Sequence, residues 1–364
     1  MSAIVRLYRG ENDYNFRTAW KWGVRISVLL VAISIFSLMF RGLNLGIDFE
    51  GGVSWEVKAE ELTVEETRDG LLPLGLGESK IQVVGADTVR VQASAESQES
   101  QDQVRQALAD LAGTDVAEVG VSNVGPTWGG EITAAAIRAL IVFLIAILGY
   151  VTLTFRGEWK MALGVVVAVV HDVIISLGVY SVFYFEVTPA TVIAFLTILG
   201  YSIYDTVVVY DKVQENAGRV GMGSRMTYTD MMNLSMNQVL LRSLSTSITS
   251  ILPVVSLLIV GAFFLGAVTL EEFAIALTVG LAVGVYSSIF VAAPVVVWLK
   301  EREPRNVALR ERLAKSTDTT AAGAEQHGRG TPVPAGAAAS TADTAATYAH
   351  SANHPPRPRK KTKK

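Results

Sequence analysis

The chain has 364 residues, half of them apolar and only 18% charged, with a formal net charge of −3. A soluble domain carries about 25% charged residues, and the mean hydropathy here is positive at +0.37, so a single soluble core and a disordered chain are both excluded. The absence of cysteine removes thiolate nucleophiles, cysteine–zinc sites and disulfides together.

Six apolar blocks are long enough to cross a bilayer, which takes roughly 20 helical residues. After a polar segment 1–21 they cover 22–40, 132–155, 161–185, 187–210, 239–266 and 273–299. The first is expected to be a retained span rather than a cleaved leader, because Arg41-Gly42-Leu43 follows it in place of a small-residue cleavage site.

Lys and Arg near span ends set the orientation. Arg6, Arg9, Arg17, Lys21 and Arg25 precede or open span 1, and Arg156 and Lys160 join spans 2 and 3. Lys212, Arg219 and Arg225 fill the loop 211–238, Arg242 follows it, and Lys300, Arg302 and Arg305 follow span 6. The alternate loops are acidic: residues 41–130 hold 16 Asp/Glu against 6 Lys/Arg, and the others carry Glu186 and Glu271-Glu272. The pattern predicts a multi-pass protein with both termini cytoplasmic.

Within 41–130, Val53–Lys58 alternates as a strand, and Thr63–Leu74 reads as a helix opened by a Thr63/Glu66 capping box. Two strands follow at Lys80–Val84 and Thr88–Gln92, then a helix at Gln98–Leu111 and a strand at Val116–Val124. The order β-α-β-β-α-β predicts a small α+β ferredoxin-like extracytoplasmic domain. Its scattered acids read as solvated surface. Residues 300–364, with 13 Lys/Arg against 6 Asp/Glu, form a basic tail. From Ser316 to Pro356 it is rich in Ala, Thr, Gly and Pro and is expected to be largely disordered. Its end, Arg357 to Lys364, suits anionic lipid or ribosomal RNA.

Ionisable groups at membrane depth cost about 2.5–3.5 kcal/mol each and survive where they are paired or wet. Asp205 lies six residues before Asp211, roughly 9 Å inside span 4, and Arg242 lies near the start of span 5. Either a static salt bridge or a proton-carrying carboxylate fits that spacing. The surrounding polar residues favour proton coupling: Tyr201 and Ser202 lie one turn from Asp205, and Arg242, Thr246 and Thr249 form a stripe that suits a hydrated path. His171 and Asp172, mid-way along span 3, mark a second interior polar site, their side chains expected about 100° apart. On span 6, Ala276, Gly280, Gly284 and Ser287 make a close-packing face.

Six motifs in order carry a family resemblance. Asp48-Phe49-Glu50-Gly51-Gly52 after span 1 resembles the D-F-x-G-G signature of the SecD/SecF family, and Val124-Gly125-Pro126 its entry into span 2. His171-Asp172-Val173, the run Gly200 to Val208, Asn237-Gln238 with Arg242 and Thr246-Ser247, and Tyr286-Ser287-Ser288 with Ala293-Pro294 resemble its later spans. The short outer segment is similar to the SecF rather than the SecD branch.

The resemblance implies a membrane all-α six-helix bundle, half of an RND-type transporter, in a bacterial cell membrane. It implies work with a SecD-like subunit and the SecYEG channel on unfolded exported chain, after the SecA stage, driven by proton motive force or by sodium, with no cofactor, metal or enzymatic activity. Asp205 and Arg242 then sit at the coupling positions, and Tyr204 stands where the family usually has Asn. A half-size RND-type exporter of lipids or small molecules, and a non-transporting translocase scaffold, are the alternatives.

Overall fold

The computed structural model describes residues 14–327 except 60–61, 85–86, 95–96, 156–157, 221–225 and 265–266. Arg6, Arg9, Arg156, Arg225 and the cationic end 357–364 lie outside the described residues. In chain order the elements are α1 (Phe16–Phe40), β1 (Asn44–Leu45), α2 (Ile47–Glu50), β2 (Gly52–Lys58), α3 (Val64–Leu71), β3 (Lys80–Val84), β4 (Thr88–Ala93), α4 (Gln98–Ala112) and β5 (Gly120–Val124). Then come α5 (Pro126–Thr154), α6 (Trp159–Phe183), β6 (Glu186–Val187), α7 (Pro189–Val220), α8 (Tyr228–Leu258), α9 (Val268–Ser287), α10 (Ala293–Lys300) and α11 (Pro304–His327).

Among the described residues six helices are long and apolar enough to cross a membrane: α1, α5, α6, α7, α8 and the α9–α10 pair. Most outrun the apolar blocks in the sequence. Hydropathy marks only the lipid-facing length, whereas capped polar turns extend the helices into water. Thr227 and Asp230 form a capping box that starts α8 well before the apolar block at 239, and Asn15 caps α1 by accepting from the Thr18 amide at 3.4 Å. Spans 3, 4 and 6 bury about half of their most apolar stretches inside the chain, and spans 1, 2 and 5 little or none. The central three therefore pack on one another, leaving the peripheral three facing outward.

The outer domain is the expected split arrangement. Its strands lie in the order β3-β4-β2-β5, every neighbouring pair antiparallel. Period-2 alternation puts Val53, Trp55 and Val57 on one face, where they join Leu71, Val104 and Leu108 in a closed core. Trp55 is fully buried and its Nε1 donates to the Gln101 carbonyl at 3.2 Å. The expected strand at 116 begins four residues later, because Asp115 accepts from the Ala117 amide at 2.8 Å and closes a 3-10 turn over Val116–Glu118.

Two turns of α/π transition interrupt the spans. A π turn over Ser288–Ala292 joins α9 to α10, and another follows α8 at Ile259–Phe264. Pro294 removes an amide donor just after the first, and the Tyr210 hydroxyl satisfies a local carbonyl by donating to Ala292 O at 3.1 Å.

The described chain divides into two compact units at Arg310. In the second, α11 continues to His327, so the stretch read as unfolded from Ser316 is helical at its start. Alanines 321, 322 and 324 favour that state.

Replacing Trp55 by Ala removes the largest buried side chain of the outer domain and is expected to destabilise it by about 3–5 kcal/mol. Amide exchange of β2 and β4 in the intact chain should accelerate accordingly, while the spans remain protected.

Candidate ion-coupling site

Two carboxylates are buried inside the bundle. Asp172 of α6 is 2% exposed and Asp205 of α7 is 5% exposed. Asp172 Oδ2 accepts from Ser202 Oγ of α7 at 2.7 Å and from Ser287 Oγ of α9 at 2.9 Å. Asp205 Oδ2 accepts from Ser288 Oγ at 2.7 Å. Adjacent serines thus serve one carboxylate each, at the point where α9 passes into its π turn. A hydroxyl both donates and accepts, so this pair joins the two acids through one short piece of backbone.

His171 and Asp172 do meet, although adjacent helical positions diverge. His171 Nδ1 lies 3.1 Å from Asp172 Oδ1. The imidazole stacks on Tyr286 with centroids 6.3 Å apart, and Tyr286 Oη donates to Gly23 O of α1 at 2.6 Å. His171 Nε2 is buried without a hydrogen-bond partner. Asp172 also lines an apolar cavity of about 230 Å³ with Leu140, Phe195 and Gly280.

Arg242 does not form an ion pair with Asp205. Its Nη2 donates to Tyr204 Oη at 3.0 Å, and both residues are exposed on the outside of the chain. Each helical residue turns about 100°: Asp205 faces inward to span 6 while its neighbour Tyr204 faces span 5. One residue of rotation therefore separates the guanidinium from the acid that the spacing matched to it. Tyr201 is half-buried on the same helix.

The hydroxyls of α8 are spent largely on their own backbone. Thr246 Oγ1 donates to Arg242 O at 2.8 Å, Ser247 Oγ to Ser243 O at 2.7 Å and Thr249 Oγ1 to Ser245 O at 2.9 Å. The expected stripe exists, but its hydroxyl protons point along the helix. The glycine face of α9 acts as expected. A Cβ at Gly284 would lie 2.9 Å from Ser202 Cβ, and one at Gly280 2.5 Å from Ile198 Cδ1. That close approach is what brings Ser202 and Ser287 onto the same Asp172 oxygen.

A third polar centre joins the outer domain to the span ends. Arg90, in β4, is 6% exposed. Its Nε donates to Glu56 at 2.8 Å and its Nη1 to Glu186 at 2.7 Å and Glu272 at 2.6 Å. Gln92 Nε2 adds a bond to Glu186 at 2.6 Å. Burial works against the guanidinium's charge, but the three carboxylates outweigh it and hold its pKa above the usual range. Of these acids only Glu56 belongs to the outer domain, and its side chain stays 40% exposed; sequence reasoning missed the cluster. Its partners lie 96 and 182 positions from Arg90; the one local signal is an arginine inside an alternating strand.

The Asp48-to-Gly52 motif sits beside this cluster. Gly51 and Gly52 have φ of +78° and +131°, conformations that favour glycine, and Gly51 N–H closes α2 onto Ile47 O at 2.8 Å. The Phe49 carbonyl packs against Gly129 of α5 so closely that a Cβ there would lie 2.3 Å away. Burial, then Glu186, pushes the Asp48 carboxyl above its usual value, with Arg90 opposing.

Six spans, an outer split βαββαβ domain and paired intramembrane acids define a polytopic membrane protein of transporter type. Residues 103–302 match the family described as "Protein export membrane protein SecD/SecF, C-terminal", and residues 36–61 match the "SecD/SecF GG Motif". The chain is 38% identical to the protein translocase subunit SecF of Streptomyces coelicolor over 88% of this chain and 86% of that one. It is 37% identical to SecF of Mycobacterium tuberculosis over 83% of this chain and 70% of the relative. Among solved structures, SecDF from Thermus thermophilus, a translocon-associated membrane protein, aligns at a TM-score of 0.73 and 34% identity over 80% of this chain. SecDF in a super-membrane-facing form aligns at 0.59. This chain spans 39% of the first, longer chain. The chain belongs to the SecD/SecF family of protein-export membrane proteins, and its role is that of an accessory to Sec-dependent export. Its relatives are named for transport rather than catalysis, and a half-size exporter of lipids or small molecules is not favoured.

Because its folded-state pKa is raised, Asp48 penalises folding progressively as pH climbs from near 3.8 through that raised value. Asp48→Asn is expected to stabilise the chain by an amount that grows as pH rises above about 4 and then levels off, in denaturant titrations. A difference that stays flat with pH would contradict this.

Proposed function

We propose that this subunit, paired with a SecD-type half and docked on the SecYEG channel, couples proton movement to the late, post-SecA stage of export, with Asp205 and Arg242 as the coupling pair and Asp172 as its buried extension. The single observation that carries the reading is that Arg242 is held by Tyr204, the immediate neighbour of Asp205, while Asp205 is bonded to Ser288. In this arrangement the guanidinium rests on the tyrosine and not on the acid. Loss of the proton leaves a charge at membrane depth, which draws Arg242 across one residue of helix. Ser288 then changes partner, and with it the Ser287–Asp172 bond on the neighbouring span. His171, Tyr201, Ser202, Thr246 and Thr249 shape this region rather than carry the ion.

Each elementary charge moving through 100 mV releases about 2.3 kcal/mol. That is enough to shift a helix contact or bias an outer-domain movement, and too little to unfold a stable cargo domain. The outer domain therefore acts on chain that is already unfolded, on the side away from the termini, with both termini in the cytoplasm of a bacterial cell. The Thermus thermophilus relative, described as translocon-associated, supports the docking partner, and its greater length supports the SecD-type half.

In sealed vesicles containing this chain, a SecD-type partner and the channel, Asp205→Asn is expected to remove the gradient-dependent part of late export at unchanged membrane levels. Tyr204→Phe, which removes the resting partner of Arg242, should lower it several-fold and shift its pH dependence. A proton uncoupler should reproduce the Asp205→Asn loss, whereas collapse of a sodium gradient should not. Undiminished export in Asp205→Asn would sink the coupling role.

A further inference from the structure

At the termini-side end of the bundle a recess of about 1060 Å³ opens between α1 and the end of span 6. Five cationic side chains line it, Arg17, Lys21, Arg25, Arg302 and Arg310, against one carboxylate, Glu301. Glu301 is engaged, accepting from the Thr229 amide and hydroxyl at 2.9 and 2.7 Å, and Arg17 pairs with Asp230. Lys21, Arg25 and Arg302 are exposed and make no ion pair among the described residues. The Arg302 guanidinium lies 3.6 Å over the Trp298 ring.

The recess has an apolar wall as well, formed by Val24, Val297 and Trp298. Trp298 is 54% exposed, and Trp22 on α1, outside the recess, is 62% exposed, as befits rings at a membrane–water boundary. Trp20 also borders the recess, packed into the bundle core at 5% exposed.

We infer that this recess binds the phosphate-bearing headgroup of an anionic phospholipid. The phosphate takes the charges of Lys21, Arg25 and Arg302, while an acyl chain lies along Val24 and Val297. Basic pockets between spans recognise such headgroups by this combination of concavity and charge. A merely orienting belt of cations needs neither a recess nor an apolar wall beside the charges. A soluble phosphate would satisfy the donors but leave the apolar wall bare.

The test is native mass spectrometry of the delipidated full chain titrated with phosphatidylglycerol and with phosphatidylcholine. Phosphatidylglycerol is expected to bind at least tenfold more tightly, and the triple variant Lys21→Gln, Arg25→Gln, Arg302→Gln to weaken it on the order of 100-fold. Lys212→Gln with Arg305→Gln, outside the recess, should leave binding unchanged. Equal binding of the two lipids, or equal effects of the two sets of neutralisations, would overturn the site. Full competition by millimolar glycerol phosphate would show a soluble phosphate site and overturn the lipid assignment.

Discussion

A carboxylate inside a bilayer must find donors within the protein, since neither lipid nor bulk water will supply them. Here two carboxylates on neighbouring spans draw theirs from two consecutive serines on a third. The local backbone of span 6 thus fixes how Asp172 and Asp205 sit relative to each other. A single peptide unit separates the two donors, so on the proposed coupling a movement at one acid would reach the other without a separate wire between the spans.

Span 6 is built to hold that position. Its glycines let α9 approach α7 closely enough for Ser202 to share an oxygen with Ser287. The π turn then inserts an extra residue per turn just where Ser288 must reach a different span. Such turns recur at functional sites, and the Tyr210 hydroxyl on Ala292 steadies this one. On the outer side the Arg90 cluster performs the matching task, tying the sheet to the ends of spans 3 and 6 with one guanidinium among three acids. Removing one partner of a buried ionic cluster costs more than the cluster contributes net, so an outer-domain movement that opened this seat would have to uncover those charges to water.

Much of this was legible in the sequence. Long apolar blocks and a β-α-β-β-α-β pattern with a Thr63/Glu66 box are local signals, and each corresponds to an element of the structure. The identity of the buried acids was legible too, because charge in an apolar block is conspicuous. Their partners were not. Helical spacing placed Arg242 at the depth of Asp205, but depth says nothing of which sector of a helix faces which neighbour, and Tyr204 intervened. The roles of Ser287 and Ser288 depend on a π turn that hydropathy cannot register. Arg90 and Glu272 meet only after 182 residues of chain have folded back.

The most direct test of the serine linkage is carboxyl-stretch infrared difference spectroscopy of the intact chain across a pH titration, with Asp172 and Asp205 assigned by their Asn variants. If the two acids communicate through the turn, Ser288→Ala shifts the Asp172 band as well as that of Asp205, and Ser287→Ala does the reverse. Bands that respond only to their own serine would show two independent buried acids and contradict the account.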